Sequence, residues 1–393
     1  MPAPTPLEQL LDIATPRRYI SLGIPAPRGA SHRRFTLTPE AVAILADSGI
    51  EVRLESGAGQ AIHYTDDRYA AAGARITDRA TAFGSDIVLH LSPLPTSDVA
   101  LLRRGALLLT LLNANTVHPQ TIEALVRRSV ISLALDLVSD KAGNRPFADI
   151  LDEIDGSAAM TLAAAALADP SSGKGILLGS VPGIVPCEVT VIGASIAGRA
   201  AARAALATGA TVRIFDDNTY TLRDTLASLP SPVIASVRNP KVLSSALRTA
   251  DIIIVAESID TTSQMAEATK AGALIYDLND GARRAFPTIP VVDISKASEG
   301  LPRALSDKNG NTTRTCFINP GAAVPRTCAM AVSNAFVSMV REILTCDGVN
   351  NAIKLNPGMQ RAVFTFLGRL TNHTLASRCT LKFVDIHILV QLS

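Results

Sequence analysis

The stretch VIGASIAG, residues 191–198, has the form of a glycine-rich dinucleotide turn, G-x-G-x-x-G, with Ser195 in place of the middle glycine. Such a turn works through its backbone. The first glycine makes the tight bend, the last lets a helix pack closely on the strand, and the free N–H groups and dipole of that helix favour a diphosphate. Here a strand-like run, EVTVIG (188–193), leads in, an alanine-rich helix follows to Thr208, and the next strand, TVRIFD, ends in Asp216. Gly193 and Asp216 are 23 positions apart, close to the ~20 at which an acidic side chain reaches the ribose hydroxyls. A carboxylate there repels a 2′-phosphate by up to about 4 kcal/mol per charge pair at ~4 Å and an effective dielectric of 20. The expected cofactor is therefore NAD(H) rather than NADP(H). Gly193, Ala194, Ser195, Ile196, Gly198 and Asp216, with Ala256 near the end of ADIIIVAE (250–257), are the expected cofactor-binding residues. Ser195 places a Cβ and a hydroxyl on the side from which the diphosphate approaches, and that hydroxyl can also donate to a phosphate oxygen. Asp217 reads as a solvated turn carboxylate.

These residues need a scaffold, and the chain supplies two alternating series. In the first, RYISLGI (18–24), EVRLES (51–56), DIVLHL (86–91), GALLLTLL (105–112) and VISLALDL (130–137) read as strands, with helices at 39–49 and 119–128. In the second, EVTVIG, TVRIFD, ADIIIVAE and ALIYDL (273–278) read as strands. Two long helices, 148–168 and 326–344, join the series. The expected fold is α/β, two Rossmann-like domains with parallel sheets linked by two long helices. Residues 1–150 with 326–393 form the substrate domain and 151–325 the nucleotide domain. Within the tail, NNAIKLNPGMQRAVFTFLGRLTN (350–372) reads as helix beyond Pro357.

Composition narrows the class further. Of 393 residues, 47% are hydrophobic and 18% charged, enough apolar side chain for two cores and far from a disordered composition. The net charge of +2 comes from 37 basic and 35 acidic residues without a basic block, so nucleic acid is not an expected partner. The five cysteines form no C-x-x-C pair, which argues against a disulfide framework or a metal site. No apolar run is seen that approaches the ~18 residues of a membrane helix. A cytoplasmic protein is expected.

The run GKGILLGSVPGIVPCEVTVIGASIAGRAAARAALATGATVRIFDDN (173–218) resembles the alanine dehydrogenase and pyridine nucleotide transhydrogenase family, as do VRLESGAGQ (52–60), DDRYAAAGARI (66–76) and NPGAAVPRT (319–327). The resemblance implies a discontinuous first domain, a central NAD domain, and a homo-oligomer, dimer or hexamer. It also implies that Arg34, in RRFTLTP, clamps a small-molecule carboxylate substrate, a task suited to a planar guanidinium. Where the family places a lysine at the end of a strand, this chain has Leu91. Where it places a catalytic histidine, the chain has Asn113. Asp280 in DLNDGARR stands in for the family aspartate, and Asn319 for an asparagine on the nicotinamide side, although the latter equally reads as a turn residue. Arg34, Asn113 and Asp280 are thus the catalytic candidates. His32, His90 and His118 are possible replacements for the missing base, each of which also reads as a surface or packing histidine. The resemblance implies hydride transfer to or from a small amino acid, imino acid or keto acid. A transhydrogenase-like subunit and a non-catalytic NAD-binding protein are the alternatives.

Overall fold

A computed structural model describes residues 20–28, 37–92, 94–112, 117–230, 232–259, 263–279, 284–296, 300, 302–346, 349–379 and 381–392. Its strands are β1 (Ser21–Ile24), β2 (Glu51–Glu55), β3 (Arg75–Thr77), β4 (Ile87–Leu89), β5 (Leu107–Thr110), β6 (Ile131–Ala134), β7 (Glu188–Ile192), β8 (Thr211–Phe215), β9 (Ile234–Ser236), β10 (Ile252–Val255), β11 (Leu274–Asp277), β12 (Val291–Asp293), β13 (Thr315–Ile318), β14 (Val363–Phe366) and β15 (Arg369–Leu370). They form two sheets, ordered β15-β14-β6-β5-β4-β1-β2-β3 and β12-β13-β11-β10-β7-β8-β9. All pairings are parallel except those of β14 with β6 and β15. The fold is α/β with two Rossmann-like sheets.

The central strands are buried along their whole length, as parallel strands covered on both faces must be. In the second sheet Val189, Val191, Ile214, Ile252, Ile254 and Phe317 meet Ala159 and Ala163 of the long helix Pro146–Ala168. On the opposite face Ile192, Ile253, Val255 and Ile275 form a separate core. Each fully buried side chain of this size contributes about 1.5–3 kcal/mol.

Two helices tie the sheets together. Helix Pro146–Ala168 starts two residues before its expected position, because Pro146 is well suited to a first helical turn whose N–H has no partner anyway. Its Gly156 is needed for contact: a Cβ there would lie 2.2 Å from the Ala197 carbonyl oxygen of helix Ile196–Ala207. The linker helix is thus pressed against the helix that follows the glycine-rich turn. Helix Pro325–Thr345 returns to the first sheet, burying Cys328, Ala329, Val332, Phe336, Val340 and Ile343 in that core. Among the described helices it is the one long and apolar enough to cross a membrane by length and composition alone, and its apolar side chains are drawn into the first sheet's core.

The tail departs from the helical expectation. After Pro357–Ala362 the helix gives way to strands, Val363–Phe366 as β14 and Arg369–Leu370 as β15, before short helices at His373–Ala376 and Ile386–Leu392. VFTF alternates aromatic with β-branched or other strand-forming side chains, and Leu367 and Gly368 between the strands both take positive φ, 47° and 69°. Two such residues in sequence make the hairpin turn between β14 and β15.

Candidate active site

The turn after β7 has the backbone that a dinucleotide cradle requires. Gly193 has φ 96°, and a Cβ on it would lie 2.9 Å from the Glu257 nitrogen and closer still to that side chain. At Gly198 a Cβ would sit 2.1 Å from the Gly193 carbonyl oxygen, so only hydrogen lets helix Ile196–Ala207 close on the strand. Ser195, by contrast, has φ −60° and ψ 176°, extended backbone open to any residue. Its hydroxyl accepts from Gly198 N–H at 3.5 Å and donates to the Ala256 carbonyl at 3.2 Å. The serine therefore acts as the helix N-cap and ties β7 to β10, with its hydroxyl turned inward.

Asp216 lies at the end of β8, buried to 3% exposure. Its Oδ2 accepts from Ala194 N–H at 2.8 Å and its Oδ1 from Asn218 N–H at 2.7 Å. The carboxylate holds the turn in shape. Ala256 is held in line with the turn by its N–H bond to the Ile192 carbonyl, 2.8 Å. Glu257 and Arg238, which the sequence pattern did not single out, stand beside Asp216. Arg238 Nη2 is 2.7 Å from Asp217 and 3.4 Å from Glu257, so Asp217 is ion-paired rather than merely solvated. The acidic end of ADIIIVAE was the available signal for Glu257; nothing local marked Arg238, which crosses from beyond β9.

On the other side of the second sheet, Asp277 at the end of β11 is buried and accepts from the N–H groups of Asn279 and Ala285 at 3.2 Å each. Asp280 lies outside the described residues. Asn319 follows β13 in left-handed backbone, φ 58°, a conformation asparagine tolerates. Its Nδ2 donates to Asp293 Oδ1 at 2.9 Å. Burial alone would raise the Asp293 carboxyl, but bonds from Ser295 and Asn319 leave it below its ordinary range. In the next turn Gly321 N–H donates to Asp155 of the linker helix at 2.8 Å. Asp155 is a further residue that spacing could not have revealed.

In the first sheet, Arg34, Asn113 and His32 fall outside the described residues. Leu91, just past β4, is buried in the core shared with helix Pro325–Thr345. His90 faces the other way, with its ring 6.2 Å from Phe83 and its Nδ1 donating to the Ser92 carbonyl at 2.8 Å. That is the setting of a packing histidine. His118 is exposed at the start of helix Pro119–Arg127. The chain entering the Arg34 segment is anchored by Arg79, which donates to Asp98 at 2.6 Å, Glu55 at 2.8 Å and the Ala26 carbonyl at 2.9 Å. Glu55 in turn accepts from Ala26 N–H at 2.8 Å.

Residues 23–150 match the domain described as "Alanine dehydrogenase/PNT, N-terminal domain", and residues 159–279 match "Alanine dehydrogenase/PNT, C-terminal domain". The chain belongs to the alanine dehydrogenase/PNT family. It is 28% identical to alanine dehydrogenase of Staphylococcus epidermidis over 380 residues, 93% of this chain and 99% of that one. It is also 28% identical to alanine dehydrogenase of Mycobacterium tuberculosis over 377 residues, 93% and 98% of the two chains. Among solved structures, an L-alanine dehydrogenase superposes with TM-score 0.79 at 22% identity, covering 94% of this chain and all of that one. A transhydrogenase from Sinorhizobium meliloti gives TM-score 0.72 at 17% identity, over 90% and 99%. Both share the fold of this family member.

Proposed function

We propose that the chain is an NAD(H)-dependent oxidoreductase of the alanine dehydrogenase type, acting on a small amino acid or the corresponding imino or keto acid. The observation that carries this reading is the turn at Gly193–Gly198, whose two glycines leave room that a Cβ would fill and whose Asp216 braces it, within a chain of this family. NAD(H), when bound, gives or takes a hydride at its nicotinamide. Gly193, Ala194, Ser195, Ile196, Gly198, Asp216 and Ala256 hold it, with the first turn of helix Ile196–Ala207 toward the diphosphate. Asn319 lines the nicotinamide side, kept in place by Asp293.

Residues 1–150 with 326–393 supply the substrate side and 151–325 the nucleotide side. Arg34 holds the substrate carboxylate, Asn113 hydrogen-bonds the reacting group, and Asp280 meets it from the nucleotide side. Asn113 cannot exchange a proton at neutral pH, and loss of one positioned acid or base costs about 100–10,000-fold. Turnover of alanine itself is accordingly slow, and the natural substrate is another carboxylate. A second reading, an NAD-binding protein without catalysis, draws on Leu91, whose apolar side chain is taken up by the core at the family's lysine position.

The protein works in the cytoplasm as a homo-oligomer. Supporting the oligomer, the segment before β7 exposes the large apolar side chains of Leu177, Ile184 and Val185 at 67%, 68% and 84%.

A fluorescence titration with NADH, followed by a screen of 2-oxo acids with ammonia for NADH consumption, tests the reading. Binding and turnover are expected, with Arg34→Lys raising KM for the anionic substrate. Tight binding without any turnover would leave the non-catalytic reading; absence of binding would remove both.

A further inference from the structure

The cofactor reading gives Asp216 the ribose hydroxyls, yet both its oxygens already accept backbone N–H groups and its side chain is almost wholly buried. The next acidic group in that corner is Glu257. It follows Ala256 at the end of β10, which pairs with β7, so its side chain rises over the turn: a Cβ built on Gly193 would meet Glu257 Cγ at 2.6 Å. From there the carboxyl lies near that of Asp216, whose negative charge acts on it. Its Oε2 is also 3.4 Å from Nη2 of Arg238, the same nitrogen that lies 2.7 Å from Asp217. Arg238 comes from beyond β9, is largely buried, and has an Nε with no hydrogen-bond partner among the described residues.

The ends of β8, β9 and β10 therefore bring Asp217 and Glu257 against one guanidinium, beside Asp216. They do so where a dinucleotide lying on this turn places its adenosine ribose, beside the acidic residue of the second strand. A guanidinium in that corner is the group that would pair a 2′-phosphate, since its planar fork matches phosphate oxygens. Here it is already engaged by two carboxylates.

We infer that Glu257 sets the dinucleotide choice of this protein. It accepts from the ribose hydroxyls, and with Asp217 it keeps Arg238 occupied, so that a 2′-hydroxyl fits and a 2′-phosphate is refused. Arg238 is a phosphate partner held in reserve. This rests on the nucleotide reading above and extends it from Asp216 to a residue on a different strand. Asp216 keeps its two N–H bonds when Glu257 is changed, so the turn survives the substitution. Glu257→Gln keeps the size of the side chain and removes only its charge.

The test is fluorescence titration of NADH and of NADPH on the full chain and on the Glu257→Gln, Glu257→Ser, Arg238→Ala and Glu257→Ser/Arg238→Ala variants, each checked for folding by its thermal melt. The unaltered chain should bind NADH about 100-fold more tightly than NADPH. Glu257→Ser should tighten NADPH by about tenfold or more, equivalent to ~1.4 kcal/mol, and Glu257→Gln should do so by less. Adding Arg238→Ala should cancel the gain. Equal binding of both nucleotides by the unaltered chain overturns the inference, as does a ratio unmoved in both Glu257 variants or a gain that persists without Arg238. If the unaltered chain binds neither nucleotide, the cofactor reading itself falls.

Discussion

At the glycine-rich turn, the fit is made by backbone: Gly193 and Gly198 are defined by the side chain they lack, and Ser195 replaces a glycine without strain because its φ is −60°. At the end of β4, the position where the family resemblance implies a lysine, the fit would depend on what a side chain can do, and Leu91 there is buried in the core. On the proposed reading, the same chain keeps one kind of requirement and abandons the other. A cradle depends on shape, which many sequences satisfy if two positions stay small. Proton transfer depends on a functional group, and one substitution removes it.

Four experiments bear on this contrast. The largest effect is expected at the anchor of the first sheet. Arg79→Met leaves Asp98 and Glu55 as partly buried carboxylates without their cation, which should cost about 3–5 kcal/mol in denaturant unfolding. If the two regions are separately built, NADH affinity of the folded fraction stays within about threefold. Gly198→Ala should come next: the added methyl collides with the Gly193 carbonyl, and NADH binding should weaken about 100-fold, near 3 kcal/mol. A binding curve indistinguishable from that of the unaltered chain would show that the turn is not the cradle.

Asp216→Asn removes a charged acceptor from Ala194 and Asn218. Charge-assisted bonds of this kind are worth about 1.5–3 kcal/mol, so a rise of roughly tenfold or more in the NADH Kd is expected by titration. Ser195→Gly is the mildest. It restores the glycine pattern but gives up the bond to the Ala256 carbonyl, and glycine is only a few tenths of a kcal/mol worse as an N-cap. Melting temperature and NADH affinity should both change little; a large gain in affinity would mean that the serine does obstruct the diphosphate.

Most of the scaffold was legible in the sequence. Parallel strands covered on both faces are runs of Val, Ile and Leu, and those runs stand out for β4 to β7, β8, β10 and β11. β14 was not, because VFTF follows a proline-led helical start and its partner β6 lies more than two hundred positions away in the chain. In the site, glycines and a strand-end aspartate announce themselves by spacing. Asp155, Arg238 and Glu257 do not, since each owes its place to a neighbour from another element.

The fold class, the position of the glycine-rich turn and the family can all be read from the chain's letters, because hydrophobic period and glycine spacing are local properties that survive at low identity. What the polar groups of the turn do depends on how the sheets pack. That packing bound the Ser195 hydroxyl to Ala256, buried Asp216 under two N–H groups, and set Glu257 and Arg238 beside them. Hydrogen bonds and ion pairs act over a few ångströms, and which groups come that close is settled by the packing of whole sheets.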